Sequence, residues 1–196
     1  MLSKVRAAVV VALLVLTAGV VPAVSAGATG PGDASEFRLQ AGSAGLTTAQ
    51  ARFLDERSAY YVATMGGERV SLNQVDVDGT ATVSIALPGE EHPRDFSSYA
   101  DVDLAGPPCV EGEGAPYRYF CAYANWYLTG DSIAMYNCVF YRIPWVSEGS
   151  WDNNQTAGTQ PLLAASNGGS ERLPGAYSYR LTGVAWLYVT HIKPCD

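Results

Sequence analysis

The chain has 196 residues, with 12 Lys and Arg against 19 Asp and Glu, a net charge of −7 and four cysteines. So acidic a balance is a poor match for nucleic acid or anionic membranes, both of which need clustered cations. The length suits one or two small domains.

Met1 to Arg6 carries Lys4 and Arg6, and an unbroken apolar run follows from Ala7 to Leu16. Gly19 and Pro22 end the run, and Val24-Ser25-Ala26 offers small residues where a signal peptidase reads. The layout predicts a secretory signal peptide over residues 1–26, cleaved after Ala26. A retained anchor would need about 20 apolar residues, so no membrane association is expected after cleavage. Residues 27–45 are small, Gly-rich and without apolar periodicity, which reads as a flexible leader.

A helix is then predicted from a capping box, Thr47 to Gln50, with Ala51, Leu54, Tyr61 and Met65 on one face and Gly66-Gly67 as its stop. Val75 and Val77, then Val83, Ile85 and Leu87, alternate with polar residues across Asp78-Gly79, a hairpin signal because both turn positions need positive φ. Val70 and Leu72 fall out of phase with Val75, so a bend is expected at Asn73-Gln74. Residues 46–88 thus read as a small αββ unit, and residues 89–108 as an acidic linker.

Cys109, Cys121, Cys138 and Cys195 all lie in the C-terminal half, and an even number in an exported chain points to disulfides. No C-x-x-C pair supports the rival, structural zinc. Of three possible connectivities, Cys109 with Cys121 and Cys138 with Cys195 is favoured: the first closes a short loop and the second pins the last residues. Short aromatic-rich strands are expected at 117–123, 133–138, 141–143, 162–165 and 184–192, separated by turn residues, which argues for a β-sandwich or barrel over residues 109–196.

Searching the sequence for chemistry gives little. There is no G-x-S-x-G, H-E-x-x-H, phosphate-binding loop or dinucleotide fingerprint. His92, in Glu90-Glu91-His92-Pro93, reads as a solvated loop residue, and His191 as a structural strand histidine. The oxygen-rich stretch Gly149 to Gly158 contains Asp152, Asn153 and Thr156, side chains suited to calcium and equally to Asx turns. The expectation is a protein without catalytic residues.

Taken in order, Tyr119-Phe120-Cys121-Ala122-Tyr123, Gly130, Met135-Tyr136-Asn137-Cys138, Gly149-Ser150-Trp151 with Asn153 to Thr156, and Lys193-Pro194-Cys195 resemble the secreted actinobacterial peptidase inhibitors of family 36. The resemblance spans about residues 109–196. It implies a βγ-crystallin-like Greek-key β-sandwich with two disulfides, and inhibition of an extracellular protease, a zinc endopeptidase, by surface occlusion. Tyr123, Leu128 and Gly130 fall where that fold has its fold-over hairpin, with Leu128 in place of the second aromatic. Asp152, Asn153 and Thr156 resemble half of a calcium motif, with Ala157 standing where a serine is usual. The alternative function is a non-catalytic module for a cell-wall glycan or protein partner, using Tyr117, Tyr119, Tyr123, Trp126, Tyr127, Trp145, Trp151 and Tyr188.

Overall fold

A computed structural model describes residues 34–96, 98, 108–109 and 114–196. The expected signal peptide and half of the acidic linker lie outside these residues.

The described residues are mainly β, with two antiparallel sheets, two α-helices and two disulfides. Helices α1 (Ala34–Ser43) and α2 (Thr48–Met65) come first. Strands β1 (Glu68–Arg69), β2 (Gln74–Val77) and β3 (Ala81–Ser84) follow, then β4 (Phe120–Tyr123), β5 (Ser132–Met135), β6 (Tyr141–Arg142) and β7 (Glu148–Asn153). The last four are β8 (Leu162–Ala165), β9 (Ser170–Arg172), β10 (Ser178–Ala185) and β11 (Val189–Lys193).

The local signals act as expected in α2. Thr47 Oγ1 accepts the Gln50 N–H while the Gln50 side chain accepts from the Thr47 N–H, so two otherwise free donors are paired. Leu54, Ser58 and Tyr61 form its buried stripe. Asp78 and Gly79 take φ of 52° and 65° between β2 and β3, the left-handed pair that the hairpin demands. The predicted bend is a tight return: Val70 N–H bonds Gln74 O and sends β1 back along β2.

Two expectations are corrected. Ala34–Ser43 is a helix and not a structureless leader. Its Phe37 and Ala41, four residues apart, are both buried, and the Arg69 guanidinium lies 4.2 Å from the Phe37 ring centroid. Two small apolar contacts suffice because the rest of the fold covers them.

The αββ unit is also no separate body. Strand β3 pairs with β5 in the register Ala81↔Met135, Thr82↔Ala134, Val83↔Ile133 and Ser84↔Ser132. One sheet therefore runs β1-β2-β3-β5-β4-β7-β10, and the second runs β6-β11-β8-β9. Side chains alternate across the larger sheet. Val75, Val83, Ile133, Ala122 and Trp151 form one inward row, and Val77, Ala81, Met135, Phe120 and Asn153 the next. These rows share a single core with Leu54 and Tyr61 of α2 and with Tyr141, Leu163 and Ile192 of the smaller sheet.

A polar cluster inside this core ties α2 to the C-terminal half. Asp131, 7% exposed, accepts from Tyr61 O–H at 2.5 Å, Arg57 Nε at 2.8 Å and Ala86 N–H at 2.9 Å. Trp145 Nε1 donates to Tyr61 Oη at 2.8 Å. Burial, and then the Asp131 charge, hold the Tyr61 phenol well above its usual range.

Candidate functional site

The outward face of the larger sheet is covered in part by loops. Its rows include Ala134, Cys121, Asp152 and Tyr179, and beside them Ser132, Tyr123 and Ser150. Over this face lie two tight loops and the Cys109–Cys121 disulfide, with a second small core of Ala115, Cys121, Tyr123 and Ala134 beneath.

The first loop, residues 114–119, is pinned to β7. Ala115 N–H donates to Asp152 Oδ2 at 2.6 Å, Asn154 Nδ2 donates to Ala115 O, and Arg118 N–H donates to Asn154 O, both at 2.7 Å. Gly114 has φ of 77°, and a Cβ there would overlap the Asp152 carboxylate, so only glycine fits. Arg118 holds a left-handed φ of 77°, and its guanidinium lies 5.6 Å from the Tyr136 ring centroid.

The second loop, residues 125–130, folds over the sheet through consecutive left-handed residues, Tyr127 at φ 57° and Leu128 at φ 61°. Ser150 of β7 holds it at both ends: its hydroxyl donates to Asn125 O at 2.7 Å and accepts the Leu128 N–H at 2.9 Å. Left-handed backbone at non-glycine residues costs about 1–3 kcal/mol each and survives only where neighbours fix it. Here Ser150 and Asn154 do the fixing.

The outcome is a stiff surface with aromatic tips. Tyr117 is 59% exposed, Trp126 43% and Tyr127 63%, with Trp126 and Tyr127 edge to face at 6.5 Å between centroids. Tyr179 stands outward on β10, the edge strand of the same sheet. Large rings with few rotatable bonds suit recognition, since little freedom is lost on contact.

The aromatic residues predicted as contacts divide between two roles. Tyr117, Trp126, Tyr127 and Tyr188 are exposed, Tyr119 is partly buried beside the Tyr136 ring, and Tyr123, Trp145 and Trp151 are buried. Trp151 stacks on Phe120, and Trp145 lies 5.9 Å from Trp186 between centroids. Three indoles in an exposed row are therefore not present.

The calcium candidates do not converge. Asp152 and Asn153 are neighbours on β7 and so point to opposite faces. Asp152 is committed to Ala115 N–H, and burial raises its carboxyl above the usual range against the pull of the Ala115 and Asn153 N–H groups. Asn153 Nδ2 donates to Thr159 O and Pro174 O, and its Oδ1 accepts from Gln155. Thr156 Oγ1 sits 2.8 Å from Thr159 Oγ1. These groups close a turn and do not fit a shared cation. Among the described residues no group of three or more His, Cys, Asp or Glu is placed to hold a metal.

Glu90 pairs with Arg94 beside His92, and His191 stands opposite Arg142 between β11 and β6. The disulfides are Cys109–Cys121 and Cys138–Cys195, with Cα separations of 6.0 and 5.3 Å. Disulfides persist in oxidising, extracellular surroundings. Among the described residues no helix is long and apolar enough to cross a membrane. No protein-family model, curated protein or solved structure matches the chain.

Proposed function

We propose that this is a secreted, non-catalytic protein that inhibits an extracellular peptidase, a zinc endopeptidase by class, by covering its cleft. The observation that carries the reading is the pair of stiff loops, 114–119 and 125–130, which hold Tyr117, Trp126 and Tyr127 outward over a disulfide-backed sheet. An inhibitor of this kind needs a rigid complementary surface of about 1,600 Å² in total and no reaction chemistry of its own. The ordered likeness to the family 36 inhibitors supplies the target class. The inferred architecture is the βγ-crystallin-like Greek-key sandwich of that family, supported by the fold-over at Tyr123, Leu128 and Gly130 that Ser150 clasps. Export follows from residues 1–26 read as a signal peptide, and suits a chain held by two disulfides.

The purified protein, mixed at micromolar concentration with a panel of secreted metallopeptidases, slows at least one of them. A Trp126→Ala, Tyr127→Ala variant keeps its fold and loses about ten-fold or more in inhibition constant, as expected for aromatic anchors. No slowing of any enzyme ends the proposal. The second reading, a glycan-binding module, draws on the same exposed Trp126 and Tyr127, but the burial of Trp145 and Trp151 takes away the broad stacking platform it would use.

A further inference from the structure

A separate cleft, about 420 Å³ in volume, opens where the C-terminal half of α2 passes β6 and β11. One wall is apolar, with Val146 78% exposed and Leu187 56% exposed. Tyr60 and Thr64 of α2 face it from the other side. At its edge stand Arg142 and His191, directly opposite each other in the β6–β11 pair.

Two features of Arg142 matter here. Arg52, Arg57, Arg69, Arg94 and Arg172 each have a carboxylate partner, whereas Arg118, Arg142 and Arg180 form no ion pair among the described residues. Arg118 lies against the Tyr136 ring and Arg180 Nε donates to Thr182 O, so Arg142 is the one of the three that stands at this cleft. An unpaired guanidinium beside an apolar wall, in a chain of net charge −7, is complementary to a ligand with one anionic head and an apolar body. Strand β6 is also an edge of its sheet. Because Ile143 N–H bonds Thr190 O, the antiparallel alternation turns the N–H and C=O of Arg142 away from β11, toward the open side. Those two backbone groups fit another extended backbone, which a fatty acid lacks and a peptide has.

We propose that this cleft captures the C-terminal end of an extended peptide, with the terminal carboxylate on Arg142, the last peptide unit paired to the β6 edge, and an apolar last side chain against Val146 and Leu187. The ligand class is a short peptide fragment released by cleavage after an apolar residue. The assignment does not depend on the inhibitor reading, since it uses the smaller sheet and none of Tyr117, Trp126 or Tyr127.

Trp145 and Trp186 line the cleft and report on it. The full protein is titrated with N-acetyl-Ala-Ala-Leu as the free acid, with its C-terminal amide and with decanoate, following tryptophan emission and heat. The acid is expected to saturate, to bind about ten-fold or more tightly than the amide, and to lose about ten-fold in affinity on Arg142→Gln but not on Arg172→Gln. Equal affinity for acid and amide, tighter binding of decanoate, or no saturation up to millimolar acid overturns the proposal. The acid–amide comparison needs no variant, so it decides the matter even where Arg142→Gln lowers expression. Peptidase inhibition measured alongside stays unchanged by the tripeptide, which separates the two readings.

Discussion

Replacement of Asp131 by alanine tests the claim that α2 and the C-terminal half are one folding unit. The carboxylate serves three donors, Tyr61 O–H and Arg57 Nε from α2 and Ala86 N–H from the segment after β3. Removing it strands a fully buried phenol and a backbone N–H, each at about 1–3 kcal/mol. Arg57, whose side chain is 32% exposed, recovers part of its loss by turning to water. The total falls at about 3–5 kcal/mol, the range seen on breaking a buried charged pair. For a chain of this size that corresponds to roughly 6–20 °C in Tm. Urea unfolding followed by tryptophan emission is the assay, because Trp145 Nε1 donates to the same Tyr61 oxygen and senses the cluster directly. Asp131→Asn keeps an acceptor and costs less, about 1–2 kcal/mol. A loss under about 1 kcal/mol for Asp131→Ala would refute the assignment of this cluster as the tie between the two halves.

Gly149→Ala places a Cβ onto Trp186 Nε1 and Tyr123 O, which are hydrogen-bonded to each other at 2.7 Å, and destabilises by roughly 2–4 kcal/mol in the same assay; a near-neutral result removes that packing argument. Burial raises the Asp152 carboxyl, so its contribution to stability is most favourable at acid pH and is lost as pH rises through the raised value. Asp152→Asn, which keeps an acceptor for Ala115 N–H, is therefore at least as stable as the parent at pH 7, and its advantage shrinks in melts taken progressively toward pH 3; an advantage that grows on acidification reverses the sign. Calcium titrated into the parent and into an Asp152→Ala, Asn153→Ala variant gives equal heats by calorimetry, and a saturating heat in the parent alone would contradict the geometry of β7.

Much of the fold was legible where the signal is local. The capping box of α2, the Asp78-Gly79 hairpin and strand β8 appear where the residues place them, because each is decided within a few positions. The disulfide pairing is the one favoured among three connectivities, in which one bridge closes a short loop and the other pins the last residues. Strand β7 was hidden because its Asp152 and Asn153 look like turn residues; both are spent satisfying backbone groups of neighbouring loops, which a linear reading does not see. The single strand expected at 184–192 divides at a short 3-10 turn, Trp186–Tyr188, into the end of β10 and most of β11, and the exposed first part of β10 has no apolar alternation to show. Nor does any local pattern announce Asp131 as a buried acceptor, or the β3–β5 ladder, whose partners lie some fifty residues apart. The candidate surface was half visible: the aromatic residues were evident, but which of them face water depends on pairing register and not on composition.

The ladder between β3 and β5 has a practical consequence for anyone preparing this protein. A truncated version starting at Cys109 would leave Ser132–Met135 as a bare sheet margin and uncover Ile133, Met135 and Trp145, all now shielded. Unprotected margins of that kind recruit other chains. Such a fragment should precipitate or self-associate, whereas an enzyme nick between Phe96 and Cys109 would leave two polypeptides that still co-migrate until denaturant separates them.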